Sequence, residues 1–158
     1  MNLTQNNLVR GVWEDYLRPL VRRPNRFQVG ALCYRGAAGR GREVLLITSR
    51  DTGRWIIPKG WPIDNLNAVE AAVHEAWEEA GVRPGAVGEK PVGTFVYTKR
   101  LNGGAEVACD VRVFPVEVSD LVEDFPEAHQ RRRAWMAPRR AAELVEEPGL
   151  RGILSGFA

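Results

Sequence analysis

Between Trp55 and Val82 the chain spells out a short strand, a stiffened loop and a helix, and that order leaves few folds open. Trp55-Ile-Ile is an apolar run rich in strand formers. Pro58 and Pro62 fix backbone angles on either side of Gly60. Asn67 is a good N-cap, and Glu70 lies three residues on, the spacing of a capping box. Gly81 follows the last apolar turn and suits the left-handed position that ends a helix. These signals predict a helix over 68–80. At about 100° per residue, Glu75, Glu78 and Glu79 fall within roughly a quarter-turn of one another, while Val69, Ala72, Val73, Ala76 and Ala80 occupy a different face. One face can pack into a core while the other gathers three carboxylates.

Like charges at this spacing oppose a helix by about 0.2–0.5 kcal/mol per pair. The plain reading is a solvated acidic face. The other reading is a site for a hard divalent cation, Mg²⁺ or Mn²⁺, which takes oxygen ligands and would relieve the repulsion. The rigid strand–loop–helix frame around the acids favours the cation.

In this register the run resembles the signature of the Nudix hydrolases, G-x5-E-x7-R-E-U-x-E-E-x-G-U, where U is bulky and apolar. Gly60, Glu75, Glu78, Glu79, Gly81 and Val82 match, and Ala76 is a small substitute for the first U. Leu66 replaces the early Glu and His74 replaces the Arg, so the box is degenerate. The segment from Glu123 to Trp135 is acidic, then basic, and ends in tryptophan. With Gly81-Val-Arg-Pro-Gly85 and Lys99-Arg100, it is similar to the diphosphoinositol polyphosphate phosphohydrolase branch. The triple glycine of the animal members is replaced by Pro58-Lys-Gly-Trp-Pro62.

The resemblance implies a metal-dependent pyrophosphohydrolase. Its substrate would be a nucleoside diphosphate linked to another moiety, or a related diphosphate, with dinucleoside and diphosphoinositol polyphosphates favoured. It implies Glu78 and Glu79 as main metal ligands, Glu75 as ligand or base, and the Gly60 carbonyl as a further ligand. His74 stands where the family has the Arg that orients the carboxylates, and it could hydrogen-bond Glu78. Asp64 is the nearby carboxylate that could stand in for the acid missing at Leu66. A Nudix fold that binds a phosphorylated ligand without turnover is the alternative.

A polyanionic substrate calls for cations around the metal. Arg50, Arg54 and Lys59 flank the strand and loop that lead into the signature, and Lys99 and Arg100 end the strand after it. Lys59, next to Gly60, is the best candidate for a phosphate contact. Arg131, Arg132 and Arg133 read as an edge strand with exposed charges. Alternation puts Arg131 and Arg133 on one face, so at most part of the trio faces a ligand. Trp61 packs against the loop or stacks on a base.

Further strands are expected at 26–34, 43–49, 93–98, 105–118 and 133–136, and helices at 139–146 and 150–157. Strands, helix, strands, helix, with too few helices for a doubly wound fold, make an α+β chain. The resemblance sharpens this to a Nudix-type α/β/α sandwich with a central mixed β-sheet. Leu8, Val9, Val12, Trp13, Tyr16, Leu17 and Leu20 recur at helical spacing. Residues 1–24 are therefore expected to form an amphipathic helix and connection, and 25–158 a single Nudix domain with its signature at 60–82. The apolar stripe suits packing on the domain or on a second subunit, which leaves a homodimer open. Arg18, Arg22, Arg23 and Arg26 follow as a solvated connection or an anion contact.

The partner implied is a small polyphosphate. Net charge of +2 over 158 residues argues against nucleic acid. No apolar run approaches the ~20 residues of a membrane span, and the first residues lack the basic and apolar regions of a signal peptide. Cys33 and Cys109 sit in apolar runs far apart and read as free thiols in a reducing, cytoplasmic setting.

Overall fold

A computed structural model describes residues 25–158. The expected helix over residues 8–20 and the arginines at 18, 22 and 23 lie outside the described residues. Eight strands form one sheet: β1 (Arg26–Ala37), β2 (Arg40–Thr48), β3 (Trp55–Ile56), β4 (Lys59–Gly60), β5 (Val82–Val87), β6 (Gly93–Arg100), β7 (Glu106–Leu121) and β8 (Arg133–Met136). Its spine runs β3-β2-β1-β7-β5, with β4 added to β1, β6 to β7 and β8 to β2. β1 and β7 are parallel from Arg26↔Cys109 to Tyr34↔Glu117. The other pairings are antiparallel, so the sheet is mixed.

Every residue from Gln28 to Cys33 is buried, which requires cover on both faces of β1. Helix α1 (Ala68–Ala80) packs against β1, β4, β5 and β7, whereas α2 (Pro138–Leu144) packs on β2 and α3 (Pro148–Ser155) on β6. The one buried side-chain amide in β1, Gln28, accepts from the Tyr97 hydroxyl at 2.6 Å. Cys33 and Cys109 are buried free thiols, as expected.

α1 has the bounds its caps foretell. Asn67 Oδ1 accepts from the Glu70 amide at 2.9 Å, and Glu70 Oε2 accepts from the Asn67 amide at 2.8 Å. Gly81 ends the helix at φ 67°, ψ 28°. A side chain there would also meet Phe125 and the Val122 carbonyl, so glycine is required on two counts. Ala71, Ala72, Ala76 and Ala80 form the buried face, and their small size brings the helix close to the sheet.

Two expectations change. β5 escapes the sequence reading because Pro84 and Gly85 are poor strand residues; the ladder with β7 is irregular there, slipping on both sides of Pro84. α2 and α3 each begin earlier than expected, because Pro138 and Pro148 occupy their first turns, where a missing N–H costs nothing.

Candidate functional site

The strand–loop–helix frame brings α1 beside β4. Lys59 and Gly60 pair with Gly30 and Val29, and this anchors the loop. The Glu75 carboxylate lies directly against Gly60: a Cβ on that glycine would land on it. Glycine here is a close-approach residue. Burial, then the charges of Glu79, Glu78 and Glu127, push the Glu75 carboxyl up to about 7. His74 Nδ1 lies 3.5 Å from Glu78 Oε2, an ion-pair distance without the expected hydrogen bond. Ligand atoms of His74, Glu75 and Glu78 all fall within 4.8 Å of one another.

Glu79 is the most enclosed of the three acids. Its Oε2 accepts from the Lys59 amide at 3.0 Å, and its Oε1 accepts from Arg131 Nη2 at 2.6 Å. Burial raises its pKa, and Arg131 and Lys59 oppose that rise. Arg131 is itself deeply set, with 6% of its side chain exposed; its Nε donates to Glu127 and its Nη1 to the Thr48 carbonyl. Each Glu79 oxygen keeps a further lone pair for a ligand. Crowded carboxylates are a donor set that fits a hard divalent cation. Asp64 is exposed on the loop, and no contact ties it to these acids.

The arginine trio corrects an expectation. It does not carry exposed charge alone. Arg131 is locked between Glu79 and Glu127, and Arg133 donates to the Ala80 and Val122 carbonyls at 2.9 and 2.8 Å. The shared face of Arg131 and Arg133 looks onto the C-terminal end of α1. Arg132 points away, with its guanidinium 5.6 Å from the Trp55 ring centroid.

The five expected phosphate-binding cations separate. The Lys59 ammonium lies 4.3 Å from the Tyr97 ring centroid. Burial lowers its pKa; Glu79 and Glu147 pull it back up, and Lys99 and Arg131 add to the fall. Lys59 and Arg131 both contact Glu79, and the charge of Lys99 reaches Lys59. The Lys99 ammonium stands 4.7 Å from the ring of Trp61, which also has Arg26 at 5.9 Å. Trp61 is half-buried beneath these cations. Arg50 reaches Glu127 and Gln130, each at 3.3 Å, on the far side of Arg131. Arg54 is drawn instead to Glu146 and Glu147, at 3.1 and 2.7 Å. Arg100 points to the opposite side of β6 from Lys99 and pairs with Glu106, so the structure does not bring it into the group.

Arg131, Glu127 and Glu147 were not assigned to the site from sequence. Strand alternation hinted at Arg131, but nothing local marks Glu127 or Glu147.

A mixed sheet thus clasps an acid-bearing helix through a glycine loop. The model of the NUDIX domain matches residues 24–157, and the chain belongs to that family. It is 35% identical over 126 residues to Nudix hydrolase 21, chloroplastic, of Arabidopsis thaliana, covering 78% of this chain and 61% of that one. It is 32% identical over 130 residues to diphosphoinositol polyphosphate phosphohydrolase 3-alpha of Mus musculus, covering 78% and 72%. The chain spans about three fifths of the length of three plant relatives it matches, Nudix hydrolases 12, 21 and 13 of Arabidopsis thaliana. Among solved structures, a binary complex of the C. elegans Ap4A hydrolase aligns at TM-score 0.60 and 20% identity, over 84% of this chain and 94% of that one, a likeness of fold. No described helix is long and apolar enough to cross a membrane.

Proposed function

We propose that this chain is a metal-dependent pyrophosphohydrolase that cleaves a phosphoanhydride bond, with Glu75, Glu78 and Glu79 as its catalytic carboxylates. The observation that carries the reading is the packing of Glu75 against Gly60 with Glu78 and Glu79 on the same helix end. These three side chains and the Gly60 carbonyl would hold Mg²⁺ or Mn²⁺. A divalent cation held there would neutralise phosphate oxygens and acidify a bound water.

The chain's own residues do the rest. Arg131 and the Lys59 amide fix the Glu79 carboxylate, so it needs no reorganisation when substrate arrives. His74 steadies Glu78, so the orienting work given to one arginine in the signature is divided here between His74 and Arg131. Lys59 and Lys99 face the phosphate chain. The substrate classes favoured are dinucleoside polyphosphates and diphosphoinositol polyphosphates, in line with the names of the relatives. The two buried thiols suit a reducing compartment such as the cytoplasm.

The test is phosphate release from a panel of diadenosine polyphosphates, ADP-ribose, nucleoside triphosphates and a diphosphoinositol phosphate, with Mg²⁺ or Mn²⁺. Turnover of one class, abolished by EDTA and by Glu79→Gln, is expected. No turnover of any compound, with a ligand still raising the melting temperature, would instead make the chain a binding module.

A further inference from the structure

His74 directly precedes Glu75 and stands one helical turn before Glu78, and a ring nitrogen closes with one oxygen from each carboxylate to within 4.8 Å. Glu79 lies outside that group, its oxygens turned to the Lys59 amide and to Arg131. His74 Nδ1 and Glu78 Oε2 stand 3.5 Å apart and make no hydrogen bond. Two adjacent ligands of one octahedral ion, each about 2.1 Å from it, stand about 3 Å apart. The observed spacing is therefore close to that of neighbours around a shared cation. Glu70, one turn earlier, is engaged with the Asn67 amide and does not compete for the ring. The His74 and Glu78 side chains are 45% and 42% exposed, so an ion reaches them from solvent and both can close on it.

The residue type gives that spacing its meaning. The arginine that the signature has at this position carries five N–H donors, no acceptor and a permanent charge. It can orient a carboxylate, but it repels a cation and cannot bind one. A neutral imidazole keeps a lone pair on one ring nitrogen and is the commonest protein ligand to metals. Carboxylates alone suit Mg²⁺, which takes oxygen and gives up its water reluctantly; imidazole suits the later first-row ions. With His74 in place of the arginine, the site loses a competing positive charge and gains a nitrogen donor.

We infer, resting on the hydrolase reading above for the role of the ion, that His74 is a direct nitrogen ligand of the catalytic cation beside Glu75 and Glu78, and that it turns the site toward first-row transition-metal ions over Mg²⁺. Glu78 is then steadied through a shared ion rather than through a hydrogen bond. Mg²⁺ still binds through the carboxylate oxygens, and the ring nitrogen adds little to its affinity.

The test uses the untagged full chain with Mn²⁺ as a paramagnetic probe. Pulsed electron paramagnetic resonance of the bound ion should show coupling to an imidazole nitrogen. The coupling should change when the chain is made with nitrogen-15 histidine, a comparison that needs no variant. It should vanish in His74→Gln and persist in His129→Gln, the other histidine of the chain. Calorimetry reads the selectivity: His74→Gln should weaken Ni²⁺ binding at least about tenfold and Mg²⁺ binding less than about twofold. Bound Mn²⁺ without nitrogen coupling, coupling that survives His74→Gln, or equal losses for Ni²⁺ and Mg²⁺ would leave His74 an orienting residue and overturn the inference. No binding of Mn²⁺ at all would overturn it together with the hydrolase reading. A nitrogen-coupled ion in a chain that turns over none of the panel compounds would remove the hydrolase reading and leave the ligand assignment standing; metal-dependent turnover with an uncoupled ion would do the opposite.

Discussion

At residue scale, Arg131 is the cation set against Glu79, while His74 lies beside Glu78. Arg131 buries a guanidinium between Glu79 and Glu127, and losing one partner of a buried pair leaves the other charge stranded. Arg131→Met should cost about 3–5 kcal/mol in chemical denaturation, and the double variant with Glu79→Gln should cost less than the two single losses added together. Additive losses would mean that the pair is not coupled. Cys33 gives a second check. Burial pushes its thiol up to about 12, so at pH 8 it remains protonated and unreactive. A disulfide reagent should label it only after denaturant is added; rapid labelling of the native chain at Cys33 would contradict the packing of β1. The acids at 75, 78 and 79 were legible because helix periodicity is local. The partnership of Glu79 with Arg131 was not, because it spans 52 residues and depends on where β8 docks.

At the scale of elements, α1 and its approach carry the site. Both helix ends were readable to the residue, since Asn67, Glu70 and Gly81 act on backbone groups within their own turn. Asn67→Ala should cost about 1 kcal/mol. Gly81→Ala should cost more, because the αL angle and the Phe125 contact both resist a Cβ. Gly60→Ala should behave differently. Its new Cβ meets the mobile end of Glu75 rather than backbone, so the melting temperature should hardly move while Mn²⁺ affinity falls about 10–100-fold. Equal losses of stability and affinity would show that Gly60 serves the fold alone. β5 stayed hidden for the complementary reason: Pro84 and Gly85 argue locally against a strand, and only the long β7 beside them supplies pairing.

Over the whole molecule, one sheet carries the clustered carboxylates of α1 and an open cleft on β6 and the α2–α3 link, with β4 and Lys59 between them. The α+β layering was legible from the order of elements, and the sheet's parallel β1–β7 centre was not, because pairing of distant strands leaves no local mark. The elements described all lie within 26–155, and the family match starts at 24. A chain cut before Asn25 is expected to unfold in one cooperative transition, as followed by circular dichroism; a broad, non-cooperative melt would show that the first 24 residues complete the core. Turnover should run through a divalent cation held by Glu75, Glu78 and Glu79. The decisive measurement is phosphate release from diadenosine pentaphosphate as Mg²⁺ is titrated into metal-free protein. Saturable activation by Mg²⁺, abolished by EDTA and reduced at least about 100-fold in Glu79→Gln, is expected; equal rates without metal, or in Glu79→Gln, would rule out the metal-held mechanism.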